Sequence, residues 1–146
     1  GALGLTADLV PRGDAAALPG ELPANTEVQP GYVDLAERLP AARLAVHHGG
    51  LGLSYAAAMA ATPQLLLTEK LEHRITAEAL VAAGAGLTHA SDAEVDDARL
   101  RADLARLCDP AAGAAAAAFA ADLPRGGGAT TLERIADFAE SPENGV

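Results

Sequence analysis

Short apolar runs alternate with segments of helical periodicity along most of this chain. The apolar runs predict strands over residues 3–10, 25–29, 43–46, 64–67 and 86–88. Apolar residues at helical spacing predict helices over residues 35–39, 54–61, 72–83 and 111–121. A further helix is predicted from Asp92, with Ser91 as its cap, to the Asp109-Pro110 break. Beyond the glycines at 126–128, a last helix begins at Thr130 or Thr131 and runs to about Glu140.

The predicted strands at 43–46 and 64–67 lack the polar alternation of a strand with one face in solvent. Such strands are typical of a parallel sheet with both faces covered. Strands that alternate with helices predict an α/β fold, here a Rossmann-like parallel sheet flanked by helices, with right-handed crossovers. In such sheets ligands bind at the carboxyl ends of the strands. Residues 1–140 are predicted to form this domain, and residues 141–146 a flexible tail.

The composition fits one domain with a thin core. The 146 residues are 50% hydrophobic but only 3% aromatic, and tryptophan is absent. Many apolar positions are alanine, which predicts helices packed closely through small side chains. Cys108 is the only cysteine, so the chain forms no intramolecular disulfide or cysteine-based metal cluster. We expect Cys108 to behave as a small buried apolar residue.

The formal net charge of −10 argues against nucleic acid as a partner, because a phosphate backbone requires clustered Lys and Arg. Any anionic ligand would have to be held by local groups. No apolar stretch reaches the roughly 18 residues that span a bilayer, and no basic-then-apolar signal opens the chain. We therefore expect a cytoplasmic protein that has no membrane partner.

One glycine-rich segment, Val46-His47-His48-Gly49-Gly50-Leu51-Gly52, connects a predicted strand to an alanine-rich helix. Glycines permit a tight turn and a close approach of the backbone to a ligand. The helix that follows presents free N–H groups and the positive end of its dipole. Together these features predict a site for a phosphate-sized anion, although a β-α connection that needs only a flexible backbone has the same pattern.

Three motifs follow one another in a fixed order. The histidine-glycine run comes first, then Pro63-Gln64 at the start of a strand, then Leu71-Glu72-His73-Arg74 at the start of a helix, followed by Gly84-Ala85-Gly86. This order and spacing resemble the nucleotide-sugar-binding, C-terminal half of GT-B type glycosyltransferases. The resemblance is to the actinobacterial enzymes that attach deoxysugars to macrolides, enediynes and other natural products. It extends from about Pro23 to Phe138.

The resemblance implies an inverting transfer of a sugar from a nucleoside diphosphate, often thymidine diphosphate (TDP), to an acceptor hydroxyl. The nucleotide sugar is then a co-substrate, and no separate cofactor is implied. On the family pattern His48 contacts the diphosphate, and the backbone of Gly49, Gly50 and Gly52 lets the phosphates approach. An imidazole N–H suits this role because it stabilises the charge that builds on the leaving diphosphate. His47 is expected to pack or to orient the turn.

Two further pairs of residues fall at family positions that contact the donor. Tyr32, with Val33 after it, lies where the family places an aromatic ring against the nucleobase, and a half-buried loop tyrosine is the alternative. Glu72 and His73 lie where the family carries an acidic residue followed by Gln or His, whose side chains hydrogen-bond the donor sugar. The alternative there is a charged helix start that the helix dipole favours.

The chain departs from the family pattern just after the last glycine of the turn. Leu53 stands where a hydroxyl residue usually binds phosphate, and Ser54 comes one place later. Ala56 stands where many relatives carry a glutamate that holds ribose hydroxyls, although deoxysugar transferases often lack that glutamate too. Leu53 and Ser54 still belong to the segment that, according to the resemblance, binds the donor.

The catalytic base of these enzymes, commonly a histidine, belongs to an N-terminal acceptor-binding domain without a counterpart here. Family members also place a strand and its helix before the segment that resembles residues 3–10. No catalytic residue is therefore assigned. We expect a fragment that binds a nucleotide sugar, needs the acceptor-binding domain as its partner and does not turn over alone. A sheet edge or apolar face left bare would favour a homodimer.

Three alternatives remain open. One is a degenerate, non-catalytic glycosyltransferase-like module that serves as a structural or regulatory partner. Another is a divalent metal site of His47, His48, His73 and Glu72, which is disfavoured because adjacent histidines at a strand end point in different directions. The third is another sugar-nucleotide enzyme of the same architecture, such as an epimerase or a lipid-linked transferase, since sheet topology alone does not separate these activities.

Overall fold

The computed structural model describes residues 4–11, 20–29, 31–90 and 96–124. Over these residues the chain forms the strands β1 (Ala7–Leu9), β2 (Thr26–Val28), β3 (Ala45–His47), β4 (Gln64–Thr68) and β5 (Gly86–Ala90). The helices are α1 (Leu35–Arg38), α2 (Leu51–Met59), α3 (Leu71–Ala82), α4 (Asp97–Leu107) and α5 (Pro110–Asp122), with a short 3-10 turn at Leu39–Ala41. These elements confirm the predicted α/β class.

Every described strand pair is parallel, as predicted, but the strands form two sheets rather than one. β1 pairs with β2, and β3, β4 and β5 form a three-stranded sheet in that order. Within the described ranges β3 is thus an edge strand, and Val46 at its centre is 52% exposed. The prediction that this strand is buried on both faces was wrong, because a strand with a neighbour on one side only is incompletely covered.

The core lies on one face of the central strand β4. Leu66 is fully buried there in a cluster with four alanines and one leucine, which come from α2, α3, α5 and the loop before β5: Ala58, Ala77, Leu80, Ala85 and Ala116. The preceding residue, Leu65, is also fully buried and points to the opposite face, because side chains alternate along a strand. The small side chains bring the helices close to the sheet, as the composition predicts.

Capping residues set the starts of the last two described helices. Asp109 accepts a hydrogen bond from the Ala111 N–H at 2.8 Å, and Pro110 occupies the first position of α5, so the predicted break at this pair is confirmed. The cap of α4 is Asp96, which accepts from the Ala98 N–H at 3.0 Å. The predicted cap Ser91 was therefore wrong for this helix, and Ser91 itself lies outside the described ranges.

The helix after the glycine turn also begins at a different residue from the predicted one. α2 starts at Leu51, with Gly50 as its N-cap, whereas the sequence predicted a start at Ser54. The prediction assigned all the glycines of the run to the turn, whereas the structure places Gly52 in the first turn of the helix, where a glycine costs only about 1 kcal/mol. The glycine turn is consequently shorter than predicted, and the amino end of α2 lies closer to His48.

Three predictions concern residues outside the described ranges: the glycine break at 126–128, the last helix to about Glu140 and the tail at 141–146. Among the helices that the structure describes, none has the length and apolar character that crossing a membrane requires.

We expect Leu66→Ala to lower the free energy of unfolding by about 2–5 kcal/mol, because it opens a cavity in a core whose other members are mostly alanine. Urea unfolding followed by circular dichroism measures the change. Leu71→Ala is the matched control: Leu71 is 69% exposed, so its truncation should change stability by less than about 0.5 kcal/mol. Equal losses in the two variants would show that the core is not centred on β4.

Candidate functional site

The glycine turn joins the carboxyl end of β3 to the amino end of α2, and the geometry requires a glycine at one position in it. Gly49 has a φ of 92°, in the left-handed region that disfavours residues with a side chain. A Cβ at this position would lie 3.2 Å from the Cβ and 3.3 Å from the carbonyl oxygen of His73. Gly49 therefore lets the turn pack directly against the first turn of α3.

Gly50 is small for a different reason. Its φ of −61° and ψ of 136° are open to any residue. A Cβ here would lie 2.6 Å from His48 Nε2, so the His48 ring lies over this glycine. Gly52, in the first turn of α2, has open space where a Cβ would be. Gly49 thus allows the backbone to reverse, and Gly50 leaves room for the His48 ring. Gly52 has neither role.

Two imidazole rings meet beside the turn. The His48 side chain is exposed, and its ring centroid lies 4.9 Å from that of His73, with 62° between the ring planes. His73 is only 9% exposed, and its Nδ1 is buried without a hydrogen-bond partner in the described part of the chain. Buried polar atoms normally have a partner. Nδ1 of His73 is thus an unsatisfied polar atom enclosed beside the turn, and a ligand could reach it only if the ring moved.

The start of α2 supplies backbone donors. Its first hydrogen bond runs from the Ser54 N–H to the Gly50 carbonyl oxygen at 3.0 Å. The N–H groups of Leu51, Gly52 and Leu53 precede this bond and have no acceptor within the helix. Together with the positive end of the helix dipole, they form the arrangement that binds phosphate at the amino ends of helices.

His47, which we expect to pack or to orient the turn, does both. It is 7% exposed, and its Nδ1 accepts a hydrogen bond from the Gly49 N–H at 3.1 Å. Its Nε2 lies 2.9 Å from Gln64 Oε1, and Gln64 Nε2 donates to the Ser54 carbonyl oxygen at 3.2 Å. Burial lowers the pKa of His47 below its ordinary value, the bond to Gln64 opposes this, and the neighbouring His48 adds to the lowering. His47 is therefore neutral in the folded chain near pH 7.

Sequence reasoning misses two polar residues that the structure places at the ends of strands. Gln64 is fully buried beside His47, and the available signal was an amide that opens an otherwise apolar strand, because a buried amide needs partners. His89, near the end of β5, has its Nε2 2.9 Å from Asp103 Oδ2 on α4, and the two side chains are 7% and 21% exposed. No sequence spacing pairs His89 with Asp103, since they come together only when α4 packs on the sheet.

The two residues after the last motif glycine do not present a hydroxyl to solvent. Leu53 is half-buried, and Ser54 is 2% exposed. The Ser54 hydroxyl has no hydrogen-bond partner within the described residues. A ligand at the amino end of α2 would meet backbone N–H groups here rather than a serine side chain.

The other predicted donor-site residues are placed at two separate points. Glu72 is exposed in the first turn of α3, next to His73, and its carbonyl oxygen accepts from the Thr76 hydroxyl at 3.1 Å. Tyr32 is 95% exposed and Val33 half-buried in the segment between β2 and α1. The structure therefore brings His73 to the turn, with Glu72 next to it on α3, whereas the Tyr32 ring is almost fully exposed to solvent.

The fold and the turn together define a C-terminal domain of a GT-B glycosyltransferase. Residues 6–125 match the family described as the erythromycin biosynthesis protein CIII-like, C-terminal domain. The chain belongs to this family, which confirms the resemblance drawn from the three motifs.

Curated relatives come from actinobacterial natural-product biosynthesis. The chain is 40% identical over 88 residues to the L-demethylnoviosyl transferase of Streptomyces niveus, a match that covers 60% of this chain and 21% of that protein. It is 40% identical over 83 residues to the elloramycin glycosyltransferase ElmGT of Streptomyces olivaceus, covering 56% and 22%. The matched part of the chain spans about a fifth of the length of these relatives.

Solved structures with the same fold are glycosyltransferases as well. The spinosyn forosaminyltransferase SpnP superposes with a TM-score of 0.73 at 28% identity, over 92% of this chain and 36% of that one. The glycosyltransferase VinC in complex with dTDP superposes with a TM-score of 0.68 at 31% identity, over 82% and 31%. The family and fold are thus supported by sequence and by structure.

We expect Gly49→Ala to lower the free energy of unfolding by about 1–3 kcal/mol, because it places a side chain in the left-handed region and against the start of α3. Gly52→Ala is the control: with open space around it in a helical turn, it should be neutral or stabilise by up to about 1 kcal/mol. Thermal or urea unfolding of both variants measures this. A Gly49→Ala variant as stable as the parent would rule out the turn described above.

We expect stability to decline as the pH falls below about 6.5, in part because of His47. The unfolded chain protonates this imidazole near that pH, whereas the lowered pKa of His47 delays protonation of the folded chain. The contribution of His47 to the free energy of unfolding is complete above about pH 6.5 and is lost progressively as the pH falls to the pKa of His47 in the folded chain. Urea unfolding at several pH values measures the slope. His47→Asn, which does not titrate, should have a shallower slope, and an unchanged slope would contradict the pKa shift.

Proposed function

We propose that this chain is the donor-binding half of a glycosyltransferase that moves a deoxysugar from TDP to a hydroxyl of a natural-product acceptor. The observation that carries the proposal is the glycine turn at the amino end of α2, with the His48 ring beside it. The VinC structure in complex with dTDP supports the choice of nucleotide. The demethylnoviosyl transferase and the forosaminyltransferase support a sugar of the deoxy class.

The proposed pose follows from the groups around the turn. The diphosphate accepts from the N–H groups that open α2, and the exposed His48 ring donates to the same anion. Glu72 and His73 open α3 on the side of the turn where the sugar would follow the phosphates. The buried Nδ1 of His73 would reach the sugar only after a rotation of its ring. Tyr32, with its ring free, and Val33 would meet the nucleobase.

In the proposed inverting reaction, the acceptor oxygen forms a bond to the anomeric carbon as the bond from that carbon to the diphosphate breaks. The electron pair of the broken bond goes to the diphosphate, so negative charge builds next to α2 and His48, where donors are already in place. We propose that the acceptor and the base that takes its proton come from an N-terminal acceptor-binding domain. The chain alone then binds the nucleotide sugar without transferring it.

One observation favours a second function, a glycosyltransferase-like module that does not catalyse. Leu53 replaces a hydroxyl residue, and the Ser54 hydroxyl, which comes one place later, is buried rather than turned to the ligand. A domain that has lost a phosphate ligand in this way keeps its fold and could act as a structural or regulatory partner. The affinity for nucleotide separates the two functions.

We expect isothermal titration calorimetry at neutral pH to give a Kd for TDP well below about 1 mM, because several backbone donors and one imidazole converge on the diphosphate. Circular dichroism of the same sample shows that the chain is folded. Millimolar or undetectable binding by a folded chain would favour the non-catalytic module.

We expect His48→Ala to weaken TDP binding by about 1–3 kcal/mol through the loss of one charge-assisted hydrogen bond. Arg101→Ala is the control, since it removes an exposed cation from α4 and should leave the Kd unchanged if general charge is not responsible. Calorimetry of both variants gives the comparison. An unchanged Kd for His48→Ala would remove His48 from the site.

A further inference from the structure

We infer that His47 and Gln64 form a positioning pair that holds the glycine turn in its phosphate-receiving arrangement, and that the pair works only while His47 carries its single proton on Nε2. This inference rests on the proposed function for its phosphate part. Neither side chain is required to touch the ligand. The pair acts through the backbone of Gly49 and of α2.

The hydrogen bonds fix the protonation of the ring. The Gly49 N–H can only donate, so His47 Nδ1, at 3.1 Å from that nitrogen, must be an unprotonated acceptor. The one proton of the neutral ring then lies on Nε2 and is donated to Gln64 Oε1 at 2.9 Å. With its oxygen so placed, Gln64 turns its amide nitrogen to the Ser54 carbonyl oxygen at 3.2 Å. Each donor in this chain has one acceptor, and the direction is the same throughout.

The pair connects three elements that together form the turn. His47 ends β3, Gln64 opens β4, and Ser54 belongs to the first part of α2. The bond to His47 turns the Gly49 N–H into the protein and holds the residue whose φ of 92° reverses the backbone. That N–H is then engaged inside the turn. The donors that remain for a phosphate are the N–H groups in the first turn of α2. The hydrogen bond from Gln64 to Ser54 holds this helix at a fixed distance from β4.

A second proton on His47 would reverse one contact. The imidazolium carries N–H groups on both ring nitrogens, so Nδ1–H would face the Gly49 N–H, and the turn would have to open. Burial lowers the pKa of His47, which keeps the ring neutral while the turn is closed. The titratable group that acts on this ring is His48 in the turn, α3 brings His73 against Gly49, and β4 and α2 present the neutral Gln64 amide and Ser54 carbonyl.

Two substitutions of His47 separate positioning from space filling. In His47→Asn the side-chain oxygen replaces Nδ1 as the acceptor for Gly49, whereas in His47→Gln the longer amide reaches toward Gln64 and leaves the Gly49 N–H unpaired. At pH 8 we expect the Asn variant to bind TDP about threefold more weakly than the parent, because it loses the contact with Gln64, and the Gln variant about tenfold more weakly, because it leaves the Gly49 N–H without an acceptor. Equal affinities for the two variants would overturn the inference.

The pH dependence of binding provides a second readout. The ratio of TDP affinities, parent over His47→Asn, should fall as the pH decreases from 8 to 5, because only the parent loses the acceptor for Gly49. The ratio cancels protonation of the diphosphate, which is common to both measurements. Gln64→Glu, whose carboxylate favours the imidazolium, should begin to lose affinity at a higher pH than the parent. A pH-independent ratio would contradict the inference.

Nitrogen NMR of the imidazole rings in the ligand-free parent separates failure of this inference from failure of the proposed function. We expect His47 to show a proton on Nε2 and a pyridine-like Nδ1. A proton on Nδ1 in the folded chain would overturn the positioning pair, even if TDP binds. The Nε2–H form together with no TDP binding in any variant would instead overturn the proposed function and the phosphate part of the inference.

Discussion

The hydrogen bond from the Gly49 N–H to His47 Nδ1 is the contact on which the rest of the site depends. It fixes the residue at which β3 stops and the backbone reverses, and so decides where α2 can begin. Because a side chain at Gly49 would meet His73, the same reversal sets how closely α3 approaches. His48 is then left on the outside, over Gly50, as the exposed ring of the turn.

This close arrangement is possible because the core is made of small side chains. Alanines from α2, α3 and α5 surround Leu66, so the helices lie near the sheet, and α2 and α3, which directly follow β3 and β4, both begin at its carboxyl edge. A core of larger residues would hold α3 farther from β3 and separate His73 from the turn. The alanine-rich composition is therefore connected to the geometry of the site as well as to stability.

The sequence predicts the individual helices and strands well, but it predicts less well which strands and which side chains pair with one another. β4 and α3 begin and end within one residue of the predicted bounds, because Pro63 and Gly84 stand next to their ends and their apolar residues are continuous in β4 and helically spaced in α3. The grouping of strands into two sheets was not predictable, since it depends on which distant segments pair. Val46 is an apolar residue like those of a central strand, so the sequence does not show that β3 lies at an edge. Likewise the motif indicates His48 and Gly49, but the contact between His47 and Gln64 depends on how β3 and β4 lie side by side.

The starts of α2 and α3 bring two positive helix ends to one edge of a chain whose formal net charge is −10. A helix end carries about half a unit charge that acts mainly within its first turn, whereas the net charge repels anions out to the Debye length of about 8 Å. A long polyanion experiences the repulsion over its whole length, but a compact pyrophosphate experiences the attraction once it is in contact. We therefore expect the chain to favour compact anions over extended ones, because attraction and repulsion have different ranges.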